Sequence, residues 1–138
     1  MKKFLCLLLC ALMLSAFSLT FAAPTPDPDG PVVRRAKEEL GKPYQWGGVG
    51  PGAYDAAGLV SYCLTGEHKR IGTVPTFLSW PKTVKPVPDD ICVNADDCGI
   101  YIGAGMMIHI AGVGRVVSYG GIPGDMIFVR FPYGVPPT

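Results

Sequence analysis

Hydrolytic chemistry needs a nucleophile, a proton acceptor and a group that orients the acceptor. Few residues of this chain can serve. The sequence holds five cysteines and two histidines. Cys6 and Cys10 fall in an apolar N-terminal run, which leaves Cys63, Cys92 and Cys98 as thiols and His68 and His109 as imidazoles. His109 alternates with Ile108 and Ile110, so on a strand it shares a face with Met107 and Ala111. A lone histidine there is either a satisfied structural group or a cleft residue. His68 lies in the charged stretch "GEHKR" and reads as solvated. Asp55, Asp97 and His109 have no metal-ligand spacing behind them, so neither a metal nor another cofactor is expected.

The elements that must position these groups are legible in outline. In "VVRRAKEELGKPY", Val32, Val33, Ala36 and Leu40 fall near helical spacing, and Gly41 and Pro43 end the run. "GAYDAAGLVSYCLTG", from Gly52 to Gly66, reads as a second helix. Asp55 can cap it, Ala56 and Ala57 form its first turn, and its apolar content predicts burial. Cys63 lies seven residues after Ala56, on roughly the same face but about 10 Å further along the axis. The stretch from Glu67 to Asp90 reads as mostly loop, broken by Pro75, Pro81, Pro86 and Pro88. "DICV", "CGIYIG", "MMIHIAG", "RVVSYG" and "MIFVRF" then read as short strands. Helices first and strands afterwards predict an α+β fold, with N-terminal helices packed on a small antiparallel β-sheet. A hairpin centred on Ala95 would pair Val93 with Asp97 and Cys92 with Cys98, close enough for a disulfide. The alternative is two buried thiols.

Lys2 and Lys3, the apolar run from Phe4 to Phe17, and the small residues Thr20 and Ala22 fit a secretory signal over residues 1–22. A retained anchor is the alternative; a lipoprotein through Cys10 is disfavoured by bulky Leu9. Residues 23–31 read as a Pro-rich linker and 32–138 as one small domain. Three cysteines after signal removal leave one without an internal partner. The expected location is secreted or cell-envelope, in a bacterium. A formal charge of +1, with no basic run, argues against nucleic-acid binding. No membrane association is expected after signal removal, and the domain is expected to be a monomer.

These residues resemble the NlpC family of secreted cell-wall cysteine peptidases, which have a papain-like fold. "GKPYQWGG" is similar to the stretch before the family's nucleophile, "YDAAGLVSY" to its nucleophile helix, usually D-C-S-G-L-V, and "DCGIYIGAGMMIHIAG" to its H-V-G-I-Y-I-G strand and the strand after it. The resemblance puts Ala56 at the nucleophile position, Asp97 at the position of the base, and His109 at the third polar position. It implies that His109 faces the cleft with Asp97 beside it. It makes Tyr44 a candidate substrate-binding residue. Trp46 is either a second one or a packing aromatic, and Asp55 is either a third or simply a helix cap.

The family logic sets a thiol at a helix N-terminus, where unpaired N–H groups favour thiolate, and a histidine opposite takes its proton. Alanine has no nucleophile, and an aspartate opposite would repel a thiolate. Cys63 is too far along the helix, and Cys98 points to the other side of its strand from Asp97. Three functions follow. The first is a degenerate domain that binds peptidoglycan stem peptides without cutting them. The second is an active γ-D-glutamyl–diamino acid endopeptidase with a rearranged site. The third is a secreted structural or interaction module.

Overall fold

The computed structural model describes residues 29–136. The expected signal peptide, and the linker up to residue 28, lie outside the described residues. Pro31, expected in the linker, is the first residue of helix α1 (Pro31–Glu38), where its fixed φ and missing N–H cost nothing. Val32, Val33 and Ala36 are its buried stripe. Its N-cap is Gly30, which has no side chain to offer. The cap comes from far away: Asp89 Oδ1 accepts the Val33 N–H at 2.9 Å. A Cβ at position 30 would overlap that carboxylate, so glycine is required for the approach.

Helix α2 (Ala56–Thr65) is the centre of the molecule. Leu59, Val60, Cys63 and Leu64 are fully buried, as its all-round apolar character predicts. Ser61, the polar exception, donates to the Ala57 carbonyl at 2.7 Å. Gly66 ends the helix in the left-handed region, at φ 72°. The stretch after it is not all loop. Helix α3 (Val74–Leu78) forms there with a Thr73/Thr76 capping box, and Phe77 anchors it in the core. A two-residue strand β1 (Lys82–Thr83) follows. Both pieces are too short to carry a periodic signal.

The remaining strands are β2 (Ile91–Val93), β3 (Cys98–Gly103), β4 (Met106–His109), β5 (Ser118–Gly121) and β6 (Ile127–Val129). Among the described residues they form a six-stranded antiparallel sheet in the order β1-β6-β2-β3-β4-β5. The fold is therefore α+β, with helices packed against one sheet face. Ile91, Val93, Cys98, Ile100, Ile108 and Val129 face the helices. Cys92, Met107 and Met126 form a second cluster with Tyr101, Ile122 and Phe128. At the sheet's end, Arg130 grips buried Asp90 with two bonds of 3.0 Å.

The β2–β3 hairpin corrects the expected register. Val93 pairs with Cys98 and Cys92 with Gly99, one residue away from the symmetric pairing. A one-residue shift moves side chains to the opposite face. Cys98 therefore enters the helix-side core and Cys92 the second cluster. All three described cysteines are free and buried, and the Cys92–Cys98 bridge is not formed. The cause is Asn94. Its backbone N–H donates to the Asp97 carbonyl at 3.0 Å, and its side-chain oxygen accepts from the Asp96 and Asp97 N–H groups at 2.9 and 2.7 Å. That makes a four-residue tip where three were expected. Among the described residues, no helix is long and apolar enough to cross a membrane.

Removing the distant cap should cost stability. Asp89→Ala is expected to lose about 1 kcal/mol, the usual worth of an N-cap. Gly30→Ala should cost more, because its methyl group evicts the same carboxylate. Urea unfolding of both variants checks this; an Asp89→Ala midpoint unchanged from the parent would refute the cap's contribution.

Candidate functional site

A cleft of about 500 Å³ opens at the N-terminal end of α2. Three segments build it. The first is the loop carrying Tyr44 and Trp46. It is stapled down by Tyr44 N–H to the Arg115 carbonyl (3.1 Å), Gln45 N–H to the Tyr54 carbonyl (3.0 Å) and Asp55 N–H to the Gly48 carbonyl (2.9 Å). The loop lies so close to α2 that a Cβ at Gly58 would land on the Gly48 carbonyl. The second segment is the head of α2 with Arg70 and the start of α3. The third is the β2–β3 tip, with Asp96 and Asp97, and residues Ile110 to Gly112 after β4.

Asp55 is both a cap and a cleft residue. Its Oδ1 accepts the Gly58 N–H at 2.6 Å, and its Oδ2 accepts from Arg70 at 2.7 Å. Sequence reasoning missed Arg70. It lies fifteen positions from Asp55 in a stretch that reads only as charged, and no local pattern links the two. Asn94 was also missed, although an Asn at a hairpin tip is a recognised turn signal. Trp46 does not pack into the core: it is 89% exposed at the cleft's rim, which corrects the packing alternative. Tyr44 is half-buried in the cleft wall.

Asp97 and His109 do meet. His109 Nδ1 lies 2.8 Å from Asp97 Oδ2, and Asp97 Oδ1 accepts the Cys98 N–H at 2.8 Å. Only Asp97 lines the cleft. His109 sits behind it, with Nε2 turned against Gly120 so closely that a side chain there would collide with the ring. His109 thus holds the carboxylate from the rear instead of facing the cleft itself. His68 is exposed but engaged: it stacks on Tyr62 with ring centroids 4.5 Å apart, and its Nδ1 meets the Val49 carbonyl at 3.0 Å. Among the described residues, no group of three His, Cys, Asp or Glu side chains is placed to hold a metal ion.

The cleft can therefore offer ionic and hydrogen-bonding groups around the methyl group of Ala56. Among the described residues it is lined by no thiol. Cys63 and Cys98 are fully buried, and burial pushes both thiols far up, with Glu39 adding to the shift at Cys63 and Asp97 and Asp55 at Cys98. Cys92, on the other sheet face, is pushed up to about 12 by burial first and by Asp90 and Asp97 after it. None of the three is a thiolate near neutral pH.

No family model matches the chain. By sequence it is similar to the probable endopeptidase Rv2190c of Mycobacterium tuberculosis, 33% identical over 101 residues that cover 62% of this chain and 26% of the relative. It is also similar to the probable endopeptidase p60 of Listeria monocytogenes, 30% identical over 103 residues covering 68% and 21%. The chain thus spans between about a fifth and just under half of the length of the curated relatives it matches. Among solved structures it resembles the NlpC/p60 domain of the peptidoglycan hydrolase SagA, with TM-score 0.59 and 25% identity, covering 72% of this chain and 97% of that one. The fold is also shared with RipD of Mycobacterium tuberculosis, described as a non-catalytic NlpC/p60 domain protein adapted to peptidoglycan binding. There the TM-score is 0.59 at 22% identity, covering 72% of this chain and 94% of RipD.

Two thiol measurements test this site. Iodoacetamide at pH 8 should label none of the three domain cysteines in the native protein and all three in urea. Ala56→Cys should add one accessible thiol of low reactivity, because Asp97 opposes its ionisation. Ala56→Cys/Asp97→His should react about tenfold faster at pH 7, the effect of a thiol pKa lowered by one unit. Equal rates for the single and double variants would show that Asp97 does not govern the helix head.

Proposed function

Because the chain is homologous in sequence and fold to the peptidases and hydrolases of the NlpC/p60 family, we propose that it is a catalytically degenerate domain of that type, exported to the bacterial envelope, which binds peptidoglycan stem peptides without cutting them. The observation that carries this reading is an open cleft of about 500 Å³ whose helix head bears the methyl group of Ala56. Ala56 takes the nucleophile's position and Asp97 that of the base. The binding groups remain: the Asp55–Arg70 pair, the Tyr44 wall and the Asp97 carboxylate can engage the charged ends and amides of a short peptide. The missing group is the one that would attack it.

A second reading draws on the Asp97–His109 contact of 2.8 Å. A cleft carboxylate braced by an imidazole can take a proton from water, so water would be the nucleophile of a rearranged hydrolase. Against it stands the weak basicity of carboxylates in general: a carboxylate is far less basic than an imidazole, so it activates water poorly near neutral pH.

One incubation separates the readings. The purified protein is held overnight with muropeptides, and both products and retained ligand are read by mass spectrometry. Retention of intact muropeptide is the expected result. New cleavage at the γ-D-glutamyl bond, absent from the Asp97→Ala/His109→Ala variant, would overturn the binding-only reading in favour of the rearranged hydrolase. Neither cleavage nor retention would leave an interaction module on a peptidase scaffold.

A further inference from the structure

We propose that Trp46 is a stacking platform for a sugar ring attached to the bound peptide, so that the cleft selects sugar-linked over sugar-free peptides. This deepens the binding reading above and rests on it. The chain has two tryptophans, and they are treated differently. Trp80 is buried against Phe77 and Phe131, with ring centroids 4.9 and 5.3 Å away. Trp46 lines the cleft and is 89% exposed. A large aromatic held in water beside a binding cleft is informative in a way that scattered exposed valines are not.

The indole is held there by its backbone. Residues Gln45 to Gly48 form a tight turn, closed by Gly48 N–H donating to the Gln45 carbonyl at 2.9 Å. Gly47 occupies the left-handed position of that turn at φ 72°, which favours glycine. The bonds from Tyr44 and Gln45 to Arg115 and Tyr54 fix the leading end of the turn, and the Asp55 N–H, donating to the Gly48 carbonyl, fixes its trailing end. Residue 46 is thus carried on the outer corner of a pinned turn, and little backbone freedom is lost when a ligand docks on it.

The chemistry of this corner narrows the ligand. An indole offers a flat, electron-rich apolar face and one N–H donor at its edge. A pyranose ring is complementary, with a face of C–H bonds and a rim of hydroxyl and acetamido groups. A protein partner is a poorer match. A stable interface buries about 800 Å² per side, whereas Trp46, between Gln45 and Gly47, is the one strongly exposed large apolar group among the residues lining the cleft. A peptide seated in the cleft and extended past this rim would bring whatever is attached to its end over the indole.

The test compares two probes by calorimetry on the full chain: an N-acetylmuramyl tripeptide and the same tripeptide without the sugar. The native protein should bind the sugar-bearing probe about tenfold more tightly, the scale of one good aromatic contact. In Trp46→Ala the ratio of the two affinities should fall to about one, and Trp46→Tyr should recover part of it. Tryptophan emission should shift to the blue with the sugar-bearing probe alone. Equal affinities in the native protein, or a ratio that survives in Trp46→Ala, would overturn this inference and leave the peptide-binding reading standing. Binding of neither probe would overturn both.

Discussion

The carboxylate of Asp55 has two oxygens and two obligations, and the cleft depends on both being met. One oxygen closes the first turn of the central helix through the Gly58 N–H. The other holds Arg70, and with it the stretch that leads into α3. The residue's own N–H is taken by the Gly48 carbonyl, which draws the aromatic loop across the helix head. A single residue, through its carboxylate and its own N–H, thus fixes the start of the helix, one wall and part of the roof. This closeness is possible because Gly58 presents only hydrogen where the Gly48 carbonyl approaches.

The other wall is set by a hairpin tip. Asn94 uses its amide oxygen to gather the N–H groups of Asp96 and Asp97, and Asp97 is so delivered to the cleft with His109 behind it. The same tip decides the fate of the thiols. By adding one residue to the turn it separates Cys92 and Cys98 onto opposite faces of the sheet, where both are sealed from water. Turn chemistry and cysteine chemistry are therefore one question in this fold.

Much of this was legible in the sequence. The helix from Asp55 to Gly66 announces itself by a cap, an apolar run and a terminal glycine, all local signals. Strand residues such as Ile100 and Ile108 alternate with their neighbours and fall on the core side as the period of two requires. What escaped was non-local or too short. The Asp55–Arg70 pair spans fifteen residues, and α3 has only five. The hairpin register turned on one side chain, that of Asn94, and the two N–H groups it accepts. Trp46 was ambiguous because composition cannot say whether an aromatic is turned inward or outward; the turn at Gly47 decides it.

The first helix shows how order of assembly can be written into contacts. An eight-residue helix headed by glycine cannot stand alone in water. Asp29 holds Arg34 and Lys37 locally, and the helix's long-range partners lie downstream: the Cys63 carbonyl at 2.9 Å from Arg35, the Asp89 carboxylate, and the Pro136 carbonyl at 2.8 Å from the same arginine. The first described helix is therefore among the last elements to be fixed, because its contacts are complete only when Pro136, more than a hundred residues further on, is in place.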